Sequence, residues 1–212
     1  MDQKTSSESG WRGSPEVWLE TAYESLIESG VDSVRILPLA KKLNLSRTSF
    51  YWFFKDREEL LSALVERWRT KNTGNLVKRT EAYAESIADA VLNVFDCWVD
   101  RAQFDSRFEF AIRSWALQSP VVALATQQAD TIRIDALTRM FLRFGFEEIA
   151  ADVRARTVYL TQIGYISMNT FEDLPARMAR IPAYVESFTG KSPSASELER
   201  FFSRHGYAPQ CS

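Results

Sequence analysis

Between Ser33 and Arg57 the chain sets Arg35, Lys41, Lys42, Arg47, Lys55 and Arg57 against a single acid, Asp56. The whole chain carries 26 Lys and Arg against 28 Asp and Glu, so this positive patch is local and not a general property of the surface. Such a patch on a near-neutral protein is the electrostatic footprint of a nucleic-acid contact. Ser46, Thr48, Ser49, Tyr51 and Trp52 are interleaved with the charges. Arginine can hydrogen-bond guanine O6 and N7, threonine can offer a hydroxyl or a methyl to a base edge, and tyrosine and lysine can serve phosphates. The chemistry that these residues support is sequence-specific contact with duplex DNA.

Short helices must present these groups. Ser14-Pro15 is an N-cap followed by proline at the first helical position. Val17, Trp18, Ala22, Leu26 and Ile27 follow at helical spacing, and Gly30 marks the stop. A second helix is expected over Ile36–Leu43, with Pro38 tolerated in its first turn. Asn44 is suited to a left-handed turn residue, Ser46 to the cap of a third helix running to about Phe53, and Asp56 with Glu59 to a capping box for a fourth, Arg57 to about Lys71. Two helices joined by a tight turn form a helix-turn-helix. Leu39, Leu43, Leu45, Phe50 and Phe54 would face inward with Leu26 and Ile27, leaving Arg47, Thr48, Ser49 and Tyr51 outward. Beyond Gly74 longer helices are expected at roughly 81–101, 106–118, 121–144, 147–169, 175–188 and 196–205.

The run Ser49-Phe50-Tyr51-Trp52-Phe53-Phe54-Lys55-Asp56-Arg57-Glu58-Glu59-Leu60, with Leu39-Ala40 and Leu45-Ser46 before it, resembles the N-terminal domain of TetR/AcrR-family transcriptional regulators. The similarity is strong from Gly30 to Leu64. It implies base contacts from Arg47, Thr48 and Ser49 and phosphate contacts from Tyr51 and Lys55. With Arg35, Ser46, Trp52 and Arg57 these complete the candidate DNA-binding set. Three positions depart from the family pattern. Arg35-Ile36 replaces small hydroxyl residues, Leu37 stands where a polar reader sometimes sits, and Asn44 replaces a turn glycine. The fold implied is all-α: a tail at 1–13, a helix-turn-helix domain at 14–57, and a helical effector-binding and dimerisation domain at 58–212.

The expected partners are a palindromic operator in double-stranded DNA, a second copy of the chain, and a small-molecule effector of unknown identity. The resemblance implies that the last long helices form the dimer interface, with candidates Val158, Thr161, Gly164, Tyr165 and Met168 on one helix and Met178, Ile181 and Val185 on the next. Aromatic residues crowd the middle helices, and Trp98, Phe110, Phe141 and Tyr159, with the polar Arg113 and Gln162, are the candidate pocket for an apolar or aromatic ligand. Phe104, Phe108, Ala111 and Trp115 form one stripe assigned to the core.

Apolar residues make up 45% and charged residues 25% of the chain, an ordinary balance for a globular protein with a real core. No apolar run approaches the roughly 20 residues of a membrane span, and the first ten residues lack a signal-peptide core, so a cytoplasmic protein is expected. Only one histidine, His205, and two cysteines, Cys97 and Cys211, are present. His205 is expected exposed at the chain end and Cys97 buried. No metal, cofactor, catalytic group or enzymatic activity is expected. Three functions remain: a ligand-released dimeric repressor, a constitutive DNA-binding regulator, and a helical ligand-binding protein or enzyme with no DNA role.

Overall fold

Ser14 accepts the Val17 N–H and Pro15 follows it, so the first helix starts where its orphan donors are best satisfied. The computed structural model describes residues 13–170 and 172–208. The expected tail at 1–13, apart from Gly13, and Cys211 lie outside the described residues. Gly13 has φ +80°, and a Cβ on it would lie 2.9 Å from Leu45 Cδ1, so this position suits glycine both sterically and conformationally.

Every regular element among the described residues is helical. The α-helices are α1 Pro15–Ser29, α2 Ile36–Lys42, α3 Arg47–Phe50, α4 Arg57–Trp68, α5 Asn75–Glu81, α6 Ile87–Val99, α7 Ser106–Ala116, α8 Pro120–Arg143, α9 Glu148–Ser167, α10 Leu174–Thr189 and α11 Ala195–Arg204. None is long and apolar enough to cross a membrane. The chain divides into two compact units between Glu66 and Arg67, inside α4 and past the expected boundary at 57.

In the first unit Trp18, Ala22, Leu26, Val34, Leu39 and Phe50 are buried almost completely. Trp18 meets Phe50 edge-to-face at 5.3 Å, and Phe54 stacks on Phe50 at 5.5 Å. These aromatic contacts add to the area they bury. The turn between α2 and α3 is made at Asn44, whose φ of 53° is left-handed, and Leu45 N–H closes it on Ala40 O at 2.9 Å.

In the second unit a continuous core runs through α6, α8, α9, α10 and α11. Two elements differ from expectation. The chain between Trp68 and Gly74 widens into π-type turns over Arg69–Gly74 and then forms α5, so the helix expected from 81 begins at Ile87 under a Ser86 cap. His205 is partly buried, with Nε2 2.7 Å from Asp96 Oδ1 and its ring 4.9 Å from Phe201, because Asp96 gathers Arg204 as well. Cys97 is buried, and burial pushes its thiol up to about 12, which leaves it inert.

A charge cluster lies inside this apolar body. Glu109 and Arg133 are both fully buried, and Arg133 grips the carboxylate with two guanidinium nitrogens at 2.8 and 3.1 Å. Arg113 Nε, Trp68 Nε1–H and the Asn72 amide also donate to Glu109, at 2.9, 2.7 and 2.9 Å. Arg113 in turn pairs with Asp130, and the Tyr159 hydroxyl accepts from Arg133 and donates to Asp130. Burial alone would raise the Glu109 carboxyl, but the two guanidinium groups and the donated hydrogen bonds hold it down at about 2.

Removing one partner of such a pair strands the other charge. Glu109→Gln is therefore expected to destabilise the body by about 3–5 kcal/mol in urea unfolding. Because the folded carboxyl lies below its ordinary 4.5, its contribution is fully present above about pH 4.5 and is lost as pH falls toward 2. Wild-type stability should decline over that window, and the Glu109→Gln variant should lack that part of the decline.

Candidate nucleic-acid interface and body cleft

The outward face of the head is built from α3 and the turn that follows it. Ser46 caps α3 by accepting the Ser49 N–H at 3.3 Å. The helix is a single turn, Arg47–Phe50, and the chain continues in tighter i→i−3 turns through Phe53, shorter than the helix expected to about Phe53. The bulky aromatic run favours this outcome, since Phe50 and Phe54 must both turn inward while Tyr51 and Trp52 stay out.

Arg47, Thr48, Tyr51, Trp52 and Lys55 are exposed, as are Arg35, Ser46 and Lys41. Arg47 Nη2 donates to the Tyr51 hydroxyl at 3.1 Å, and its guanidinium lies 5.8 Å from that ring centre. The contact orders two long side chains one helical turn apart, so a guanidinium and a phenol hydroxyl share one face. Leu37 is 62% exposed on α2, an apolar group able to meet a thymine methyl.

Two members of the expected set are placed elsewhere. Ser49 is buried, and its hydroxyl donates to the Ser46 carbonyl at 2.7 Å, so it faces the head's interior and not a base. Arg57 is a clamp. Its Nε donates to Val34 O at 2.6 Å and its Nη2 to Val31 O at 2.9 Å, which ties the start of α4 to the segment before α2. Asp56 accepts the Glu59 N–H at 2.9 Å as expected of a cap, while Glu59 accepts the Lys55 N–H one residue earlier than in the standard box.

In the body a cleft of ≈ 370 Å³, counting its open mouth, lies among α6, α9 and α10. Trp98 and Gln162, two of the expected pocket residues, line it. Of the other four, Phe141 and Tyr159 are buried in the core and the charge cluster, Arg113 is ion-paired to Glu109 and Asp130, and Phe110 is 44% exposed. Four residues expected at the dimer face, Val158, Met178, Ile181 and Val185, are fully buried within one chain, and Val158 and Ile181 form cleft walls. The correction has a simple cause: α9 and α10 use their most apolar faces to close their own subunit. Of the remaining four, Met168 is 79% exposed, and Thr161, Gly164 and Tyr165 are partly exposed, Thr161 and Tyr165 at the cleft.

The cleft also contains Phe188, and Arg177 and Tyr184, which sequence reasoning did not single out. A signal was present, because positions 177, 181, 184 and 188 repeat at 4-3-4 spacing along one face of α10. A cation on such a stripe marks a polar group aimed at an apolar interior.

The described residues thus form a helix-turn-helix unit and, after it in the chain, an all-helical body. Residues 19–64 match the family model described as bacterial regulatory proteins, tetR family. The similarity to the tetR family thus lies in this N-terminal stretch. It is 31% identical over 67 residues to the class A tetracycline repressor protein from transposon 1721 of Escherichia coli, a match covering 32% of this chain and 31% of the repressor. The chain thus spans about a third of the length of that curated relative.

Solved structures share the fold over nearly the whole chain. Mycobacterium smegmatis AmtR gives a TM-score of 0.59 at 16% identity, covering 95% of this chain and 98% of its own. Salmonella enterica GusR gives 0.58 at 16% identity, covering 89% and 93%. A transcriptional regulator from Rhodococcus sp. Rha1 gives 0.53 at 19% identity, covering 93% and 100%.

The clamp role makes Arg57 distinguishable from a phosphate contact. Arg57→Ala is expected to lower the stability of the head by about 1.5–3 kcal/mol, the cost of losing hydrogen bonds from a charged donor. Thermal unfolding without DNA should register the loss.

Proposed function

We propose that this protein is a dimeric repressor in the cytoplasm that binds a palindromic operator and releases it when a small molecule occupies the body. The observation that carries the DNA half of this reading is the exposed Arg47–Tyr51 pair, flanked by Thr48 and Lys55, on a domain of the TetR family. Arg47 and Thr48 contact base edges, and Tyr51 and Lys55, with Ser46 and Arg35 nearby, contact the backbone.

Dimerisation is assigned to the outer face of α9. Ile149, Val153, Leu160 and Met168 are 82%, 55%, 58% and 79% exposed, and with Thr157 and Gly164 they recur at spacings of three and four residues. That periodicity forms a seam along which a partner helix can lie, and Gly164 permits close approach. Two heads held by such a seam match half-sites about 34–36 Å apart, a spacing that tolerates little change.

Release then follows from the attachment of α4. Its last residue, Trp68, donates to Glu109, while Tyr159 of the same cluster lies between the cleft residues Val158 and Gln162 on α9. A ligand that favours one packing of α9 against α10 shifts this cluster, and with it the end of α4.

Fluorescence anisotropy against the DNA flanking its own gene, and against duplexes selected from a random pool, tests the reading. Absence of salt-dependent, sequence-selective binding to any of them would overturn it. Arg47→Ala should cost about 1–3 kcal/mol and relax preference at one operator position, whereas Lys55→Ala should weaken all duplexes alike and reduce the salt slope. Leu160→Arg should convert dimers to monomers in light scattering and weaken operator binding with them.

A further inference from the structure

The body cleft is apolar on most of its walls, with Phe95, Ile181 and Phe188 among them, but its polar groups are not neutral as a set. Arg177 lines it, partly buried, and its one hydrogen bond among the described residues is from Nη2 to Gln162 Oε1 at 3.3 Å. No carboxylate lies within ion-pair distance of it among those residues. The one acid on the cleft wall, Glu172, is engaged by Arg180, which leaves Arg177 without a counter-ion. Arginine does not shed its charge to escape burial, so the guanidinium remains a desolvated cation. Burial pushes it below its ordinary range.

Two further donors accompany it. Trp98 is 3% exposed, lines the cleft, and its Nε1–H has no acceptor among the described residues. Tyr165 and Tyr184 join hydroxyl to hydroxyl at 2.6 Å, so one of their two hydrogens is used between them and the other is left to donate elsewhere. A guanidinium fork, an indole N–H and a phenol O–H are all donors, and buried donors without acceptors are costly. What complements the guanidinium is an acceptor-only group with two oxygens, since arginine's planar fork matches a carboxylate bidentately.

We infer that the cleft takes a small aromatic or otherwise apolar carboxylate, its anionic end on Arg177 and Trp98 and its apolar body against the aromatic walls. The inference rests on the proposal that the body receives a ligand and narrows that ligand to one chemical class. The Arg180–Glu172 pair at the cleft wall keeps the acid from competing for Arg177. The free interior of the cleft is ≈ 20 Å³, so the ligand enters by changing the packing of α9 against α10.

Isothermal titration calorimetry on the full-length protein tests this with benzoate, 3-phenylpropionate and indole-3-acetate, each against its own carboxamide. At least one acid should bind ten-fold or more tightly than its amide, the same shape without the charge. Arg177→Gln should bring that ratio to within two-fold, and Arg177→Lys should restore part of it by returning the charge without the fork. Trp98→Phe should weaken the acid several-fold more than the amide. Equal binding of acid and amide to the wild-type protein overturns the inference without reference to any variant. So does a ratio that survives Arg177→Gln, or binding by no member of the panel. Operator anisotropy with the tightest acid separates the two proposals. Arg177-dependent binding that fails to release DNA upholds the anion site and overturns ligand release.

Discussion

The second unit is organised around one buried ion pair, Glu109 with Arg133. Neither side chain has any solvent exposure, and their attraction is supported by further hydrogen bonds: from Arg113, Trp68 and Asn72 to the carboxylate, and from the guanidinium to Thr73 and Tyr159. The requirement to satisfy Glu109 draws in three different parts of the chain. Trp68 closes α4, Asn72 sits in the π-type turns that follow, and Arg113 continues α7 by one turn. The widened winding over 69–74 is consistent with the need to bring both Trp68 and Asn72 to the same carboxylate. An apolar pair of equal volume could fill the space, but it would not fix the end of α4 to a particular turn of α7.

Local signals made much of the head legible from sequence. Ser14-Pro15, the left-handed Asn44, and the Asp56 cap each act within a few residues, and each falls where it was expected. The inward set Leu39, Phe50 and Phe54 follows from helical spacing alone. What sequence could not resolve were the orientations decided by distant partners. Arg57 faces away from any ligand because two carbonyls, 23 and 26 residues earlier, capture it. Ser49 is turned inward because a one-turn helix leaves its third position beneath the fourth, with the Ser46 carbonyl ready to accept its hydroxyl.

The body was legible as a set of helices but not as a set of faces. α9 and α10 carry apolar residues on more than one side, so periodicity cannot tell which stripe closes the subunit and which remains outside. Burial decides it: Val158, Met178, Ile181 and Val185 go inward, while Ile149, Val153, Leu160 and Met168 stay out. Arg113 looked from sequence like a solitary polar group in an apolar helix, although it is matched by Asp130, 17 residues away on α8. Arg177, by contrast, has no carboxylate within ion-pair distance among the described residues, only the Gln162 amide.

The single turn of α3 has a consequence for information. On the proposed docking, only Arg47 and Thr48 of that helix remain free to inspect base edges, since Ser49 and Phe50 are committed to the interior. Two inspecting side chains distinguish few base pairs in each half-site. A genome contains many chance copies of so short a word. The rest of the address must then be written in the distance between two such words and in the stiffness of the DNA that separates them.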